Sequence, residues 1–479
     1  MSLYRSPLIL PVENQVREFD SKLLLACVAA ERGFPVLLGS RPFVNFAMPR
    51  LDRGVFVAKS LRARSALMFN LIRDLGHAIV AWDEESLVRF DSPEYCPWRF
   101  SEATFRPLNH LFAWGADDAR LFSEYPGNKG VPVHVTGNPR VDLLRKELRG
   151  YFLPEVGALR DRFGDFILIN TNFSFVNSFV AKLNLVVRTG PLKELAVSRT
   201  GQGMSLAFAR GLYGHQQAIF DGFRSLMPML SEWFPNHAIV LRPHPSEDHA
   251  VWRKLSSGLA NVHVIHEGNV VPWLMACKVL LHNGCTTAVE AAVLDTPSVT
   301  YQPVTSGCFD YHLPNSLSHQ ALAPEQVREL LEAVLDGDLG SVDEARRREI
   351  FNRHLASLEG PLAAERVMDV VQEAGYGSGP PPWPGARKFA LAWLVSNART
   401  LLKHINMRRQ GHWNSAEYHA HRFPEIGAEE VDRRIRRLGA QLGRFDGIHA
   451  QQASRFLFHV VGPETESVGD RRLQAPLLN

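Results

Sequence analysis

Val279-Leu280-Leu281-His282-Asn283-Gly284-Cys285-Thr286-Thr287-Ala288-Val289-Glu290-Ala291-Ala292 reads as a buried strand, a tight turn and the start of a helix. A strand that passes through a glycine turn directly into a helix is half of a βαβ unit. Free N–H groups at such a helix start, beside hydroxyls, suit a phosphate. Thr286 and Thr287 supply the hydroxyls, Asn283 and Gly284 form the turn, and Glu290 lies one helical turn beyond Thr286, within reach of ribose hydroxyls. An ordinary N-cap followed by an exposed glutamate uses the same residues.

The pattern extends in both directions. Phe166 to Ile169, Ala238 to Leu241, Val262 to Ile265 and Ser298 to Thr300 are further strands of this half. Leu8 to Leu10, Val36 to Leu38, Val55 to Val57, Ala78 to Trp82, His110 to Ala113 and Val133 to Val135 make an earlier set, separated by helical stretches. Strands alternating with helices predict an α/β protein of two Rossmann-like, doubly wound domains facing a cleft, with ligands at the carboxyl ends of the strands. The expected division is 1–150, 151–375 and a tail, 376–479, that begins with the Pro/Gly linker 376–386. Residues 180–214 break the alternation and read as a surface excursion or a loop over a substrate.

Composition narrows the class. The 479 residues are 45% hydrophobic and 22% charged, an ordinary globular mix. Fifty-three Lys and Arg against fifty Asp and Glu leave a net charge of +3, too small to make the whole surface a trap for nucleic acid. Five cysteines without CxxC spacing point to a reducing compartment and no zinc site. Pro7 and Pro11 interrupt the only apolar stretch near the start, so no signal peptide is read there, and the expected location is cytoplasmic.

Other candidates sit at strand ends. In Arg242-Pro243-His244-Pro245-Ser246-Glu247 the flanking prolines forbid helix and strand pairing, so His244 is held on a stiff turn. With Arg242 beside it, it suits a phosphate or a leaving oxyanion. Asp83-Glu84-Glu85 closes the strand that ends at Trp82, where Glu84 or Glu85 could act as a general base; crowding of three acids would raise one pKa. Arg17 and Asp20 at the first strand–helix junction, Asp83 after Trp82, Asn170 and Asn172 after Ile169, and Arg140 in Gly137-Asn138-Pro139-Arg140 are weaker substrate candidates. Arg17 and Asp20 could equally form a local ion pair. No metal site is expected.

The Arg-Pro-His-Pro turn together with HNGCTTAVEAAVLDTPSV resembles the nucleotide-sugar half of GT-B glycosyltransferases, and above all those of bacterial surface polysaccharide synthesis: Kdo transferases, sialyltransferase-like enzymes and CDP-glycerol-type polymer transferases. Arg17 to Leu23, Ala81 to Glu85, Ala113 to Gly115 and Val135 to Asp142 are similar to a group of surface carbohydrate biosynthesis proteins. The resemblance covers roughly residues 5–375. It implies a nucleotide-sugar donor, CMP-linked, with His244-Pro245 and Thr286-Thr287 on its phosphate and no further cofactor. The sugar would be Kdo or a related ulosonic acid, and the acceptor a surface polysaccharide or lipid-linked glycan. Retaining Kdo transferases carry a nucleophilic Asp at the turn that reads Asn170-Thr171-Asn172 here, and a carboxamide cannot take that part. The expectation is therefore inversion without a metal. A sugar-nucleotide 2-epimerase and an inactive assembly scaffold are the alternatives.

The tail carries Arg387, Lys388, Arg399, Lys403, Arg408 and Arg409 with no acid between Glu373 and Glu417. Leu391, Leu394, Ala398, Leu401, Leu402 and Ile405 recur at helical spacing, with Trp393 and Trp413 nearby. Such a helix packs back on the catalytic halves, or lies peripherally on the inner membrane face.

Overall fold

The computed structural model describes residues 5–409, 412 and 414–463. Among the described residues sixteen strands follow in chain order: β1 Leu8–Val12, β2 Val36–Ser40, β3 Val55–Ala58, β4 Ala78–Ala81, β5 His110–Ala113, β6 Val133–Val135, β7 Phe166–Asn170, β8 Val186–Thr189, β9 Glu194–Val197, β10 Ala238–Arg242, β11 Val262–Val264, β12 Val279–His282, β13 Ser298–Tyr301, β14 His319–Ala321, β15 His449–Ser454 and β16 Leu457–Val461. They build an eight-stranded sheet ordered β15-β16-β2-β1-β3-β4-β5-β6 and a six-stranded sheet ordered β11-β10-β7-β12-β13-β14; β8 and β9 form a separate hairpin. The six-stranded sheet is parallel throughout, as are β1 to β6 of the other. Each sheet therefore reverses its strand order, at β1 in one and at β7 in the other, which makes both doubly wound as expected.

The central strands of both sheets are apolar along almost their whole length and buried, because helices cover both faces of a parallel sheet. In the second sheet the helix Leu206–Trp233 lays Ile219, Phe220, Phe223, Leu226, Met227 and Leu230 on Ile167, Ile169, Leu241 and Leu281.

The chain divides into two compact units that do not follow the linear division at 150 and 375. One comprises the described parts of residues 1–84, 100–151 and 352–479, the other residues 85–99 and 152–351. Three long-range interactions cause the difference. Asp142 accepts the N–H groups of Ala363 (2.8 Å) and Ala364 (3.0 Å), capping the helix Ala363–Glu373 and tying it to the first unit. Phe90 bridges Tyr311 and stacks on Trp98, which brings residues 85–99 to the second unit. Far down the expected tail, β16 pairs antiparallel with β2, and β15 with β16. Gly39 on β2 permits this approach, since a Cβ there would lie 2.2 Å from the Phe456 carbonyl oxygen.

The irregular segment 180–214 is the β8–β9 hairpin, a short 3-10 turn at Arg199–Gly201 and the first turns of the long helix. The basic amphipathic stretch forms the helix Ala386–Met407. Trp413, named with it, lies outside the described residues.

Phe458 of β16 is fully buried and meets Phe19 edge-on at 6.2 Å. Phe458→Ala is expected to cost about 3–5 kcal/mol of the first unit's stability. Urea unfolding measures it, and an unchanged midpoint would mean that β16 contributes nothing to the sheet.

Candidate functional site

In the second unit the carboxyl ends of β10, β7 and β12 lie side by side, with Arg242, Asn170 and His282 in one register row. The sheet's strand order reverses at β7, which is where open α/β sheets bind their ligands. Two buried side chains lock the three strand-end turns together. The Glu247 carboxylate is fully buried. Its Oε1 accepts the Thr171 hydroxyl (2.8 Å), the Phe173 N–H (3.0 Å) and the His244 N–H (3.1 Å), and its Oε2 accepts the Trp252 indole N–H (3.0 Å). Asn283 completes the lock: its Oδ1 accepts the Asn172 N–H (2.9 Å) and its Nδ2 donates to the Asn172 carbonyl (3.2 Å). The turn after β7 is thus bonded on one side to the turn bearing His244 and on the other to the turn that opens the helix Thr286–Leu294.

Each motif residue has a defined place in this arrangement. His244 is half-buried, and its Nδ1 accepts the Ser246 N–H (3.2 Å), so a neutral ring carries its proton on Nε2. Pro245 is buried beside it. Gly284 has φ +82°, and a Cβ there would lie 3.1 Å from the Tyr311 ring, so both conformation and space favour glycine. Its N–H donates to His282 Nδ1 (2.9 Å), while the other ring nitrogen of His282 pairs with the Ser318 hydroxyl (2.8 Å). Burial pulls the His282 pKa down to about 3, so this histidine is a neutral structural link. Thr286 and Glu290 are buried and Thr287 is half-buried on the first turns of their helix.

Arg242 does not present its guanidinium beside His244 as expected. It donates to the carbonyls of Glu267 (2.6 Å) and Gly268 (3.1 Å) and stacks 4.6 Å over the Trp273 ring. Burial lowers its pKa to about 9, which leaves it charged at neutral pH. Its role is to hold the loop after β11. Asn170 is the converse case: it is 4% exposed, and among the described residues neither its Oδ1 nor its Nδ2 has a hydrogen-bond partner. Leaving such groups unpaired costs about 1–3 kcal/mol each, and native proteins rarely do so without a functional reason. Asn172 is half-buried and accepts the Ser174 hydroxyl (3.0 Å).

The first unit brings together two candidates that lie far apart in sequence. Glu84 and Arg140 are both buried; Arg140 approaches Glu84 Oε2 at 3.8 Å and stacks 5.6 Å over Trp114, while the Trp82 indole donates to Glu84 Oε1 (2.5 Å). Asp83 is fully buried, and its carbonyl accepts the Trp114 indole (2.8 Å). The three acids are therefore not a solvated run: two are interior residues of the first unit, and Glu85 is half-buried in the second. Asp20 accepts Tyr151 (3.0 Å) and Arg434 (2.9 Å), so its charge is met by the chain's own tail; Arg17 is half-buried on the same helix.

Sequence reasoning passed over Glu18, Lys22 and Lys59, which meet at the reversal point of the first sheet. Glu18 accepts the Glu13 N–H (2.9 Å), pairs with Lys22 (3.4 Å) and bonds Lys59. Burial pushes its carboxyl up, but Lys59 and Lys22 outweigh that and hold it at about 2. Glu18 and Lys22 stand four residues apart on one helix, a signal that pairing with Lys59 after β3 alone makes informative.

No family model matches this chain, and no curated protein matches it. Among solved structures, the wall teichoic acid polymerase TagF soaked with CDPG aligns at 10% identity and a TM-score of 0.49, over 77% of this chain and 88% of its own. HepE of Anabaena in complex with UDP-glucose aligns at 12% identity and a TM-score of 0.41, over 78% and 99%. The UDP-GlcNAc 2-epimerase of Methanocaldococcus jannaschii aligns at 14% identity and a TM-score of 0.42, over 77% and 99%. Likenesses this distant assign neither an activity nor a substrate.

Glu247→Gln sets an amide N–H against the Trp252 indole N–H, two donors facing each other. It is expected to cost about 1–3 kcal/mol of the second unit's stability. Urea unfolding reads this directly; a variant as stable as the parent would show that Glu247 does not hold the turns.

Proposed function

We propose that the chain is a GT-B glycosyltransferase that moves a sugar from a nucleotide donor to a bacterial surface polysaccharide or lipid-linked glycan. The observation that supports this most is the locking of three strand-end turns by Glu247 and Asn283, which holds His244 and the start of the helix Thr286–Leu294 as one body. Preorganised donors of this kind suit a leaving phosphate, since they cost no rearrangement as charge develops. In this reading His244 Nε2–H, the Thr286 and Thr287 hydroxyls and the amides of the helix start bind the phosphate, and Glu290 binds ribose. The unpaired Asn170 carboxamide would take a sugar hydroxyl. Arg242 is left out of the donor set because its guanidinium is committed to the loop at 267–268.

The donor in this proposal is CMP-linked, with Kdo or a related ulosonic acid as the sugar. The acceptor hydroxyl attacks the anomeric carbon, the bond to the donor phosphate breaks, and a carboxylate takes the hydroxyl proton. Glu85 is preferred to Glu84 for that step, since Glu84 is buried between Trp82 and Arg140. With Asn170 and Asn172 at the turn where a nucleophile would be needed, displacement is direct and the anomeric configuration inverts. A β-configured donor then gives an α-linked product.

Calorimetric titration with CMP, CDP, UDP and GDP tests the reading. One cytidine nucleotide is expected to bind, and His244→Ala to weaken it by about 1.5–3 kcal/mol, the scale of a charged hydrogen bond. Glu85→Gln should leave that affinity intact and lower turnover by about 10²–10⁴-fold. Nucleotide binding unchanged by His244→Ala in a folded protein would remove the assignment.

A further inference from the structure

The helix Ala386–Met407 is amphipathic in the opposite sense to a helix of a globular core. Its buried residues are Ala392, Ser396 and Thr400, small or hydroxyl-bearing side chains spaced four apart. With about 100° between successive residues, these three share one face, and Leu391, Leu394, Ala398, Leu401, Leu402 and Ile405 share the opposite one. On that outer face Leu391 is 65% exposed, Leu394 59%, Leu401 65%, Leu402 60% and Ile405 48%. A helix whose only purpose was to pack on its own fold would turn this stripe inward.

The charge on the same element bears on what covers the stripe. Arg387 and Lys388 at its start and Arg408 and Arg409 just past its end are exposed, and no acid occurs between Glu373 and Glu417. Trp383 and Trp393 are also exposed. A second copy of the chain would bring two wholly cationic helices together, so self-association is opposed by charge. A surface that is apolar beneath and anionic above meets both features. No described helix is long and apolar enough to cross a membrane, so the element would lie along the surface.

We propose that Ala386–Met407 docks the protein on an anionic lipid surface, with the leucine stripe among the acyl chains and the terminal cations on the lipid phosphates. The inference stands on this helix alone and does not depend on the transferase reading.

Cosedimentation of the full chain with vesicles of phosphatidylglycerol and phosphatidylcholine in about equal parts tests it. The protein is expected to bind these vesicles, and to bind pure phosphatidylcholine at least about tenfold more weakly. Leu394→Glu with Leu402→Glu should lower partitioning by at least about tenfold, with the circular dichroism melt unchanged. If that variant fails to fold, Leu394→Ser with Leu402→Ser serves in its place. Absence of binding to the anionic vesicles, or binding that survives loss of the stripe, would overturn the proposal. So would a dimer in sedimentation velocity that the double variant dissolves, since the stripe would then be an interface between copies.

Discussion

Glu247 places a carboxyl group in the interior of the second unit, and the arrangement of the candidate site depends on how its two oxygens are met. Isolated, a buried carboxylate would take up a proton rather than remain ionised. Burial does push the Glu247 carboxyl up, while donors from Phe173, Trp252, Thr171 and His244 pull against it. These donors come from the turn after β7, the turn after β10 and the helix that follows. One carboxylate therefore sets the separation of two loops that the sheet itself leaves unconstrained. Removing it would leave four donors without an acceptor, a heavier cost than the loss of any one surface contact.

The first sheet repeats the device with different partners. Glu18 lies buried at the carboxyl end of β1, met by Lys22, Lys59 and the amide of Glu13. Both sheets thus place an interior carboxylate where the strand order reverses. In the first unit the compensating groups are cations, and the carboxyl stays ionised to about pH 2; in the second they are mostly neutral donors, and burial prevails.

Local pattern carried most of the fold. Apolar runs such as Phe166 to Ile169 and Val279 to Leu281 read as interior strands, and the glycine turn at 284 before Thr286 and Thr287 reads as the entry to a helix. What local pattern could not carry was pairing across hundreds of residues. Leu457 to Val461 alternates no more clearly than many loops, and its partner β2 lies more than four hundred residues earlier, so nothing local marks it as a strand of the first sheet. Residues 85–99 join the second unit through Phe90, Tyr95 and Trp98, whose aromatic packing has no periodic signature. The site was legible as motifs but not as partners. His244, Gly284 and the two threonines announce themselves by their neighbours in the chain, whereas Arg242 has the right type and position yet spends its fork on carbonyls at 267 and 268. Glu247 stood in the quoted motif, and only the fold reveals what it holds.

In the proposed reading the three locked turns form a single nucleotide-binding body. Amide hydrogen exchange of the full chain, with and without a saturating cytidine nucleotide, tests it most directly. Protection should rise together at 170–173, 243–247 and 283–288, and remain unchanged in β8, β9 and the helix Ala386–Met407. Protection confined to one of the three turns, or located in the first unit alone, would contradict the account.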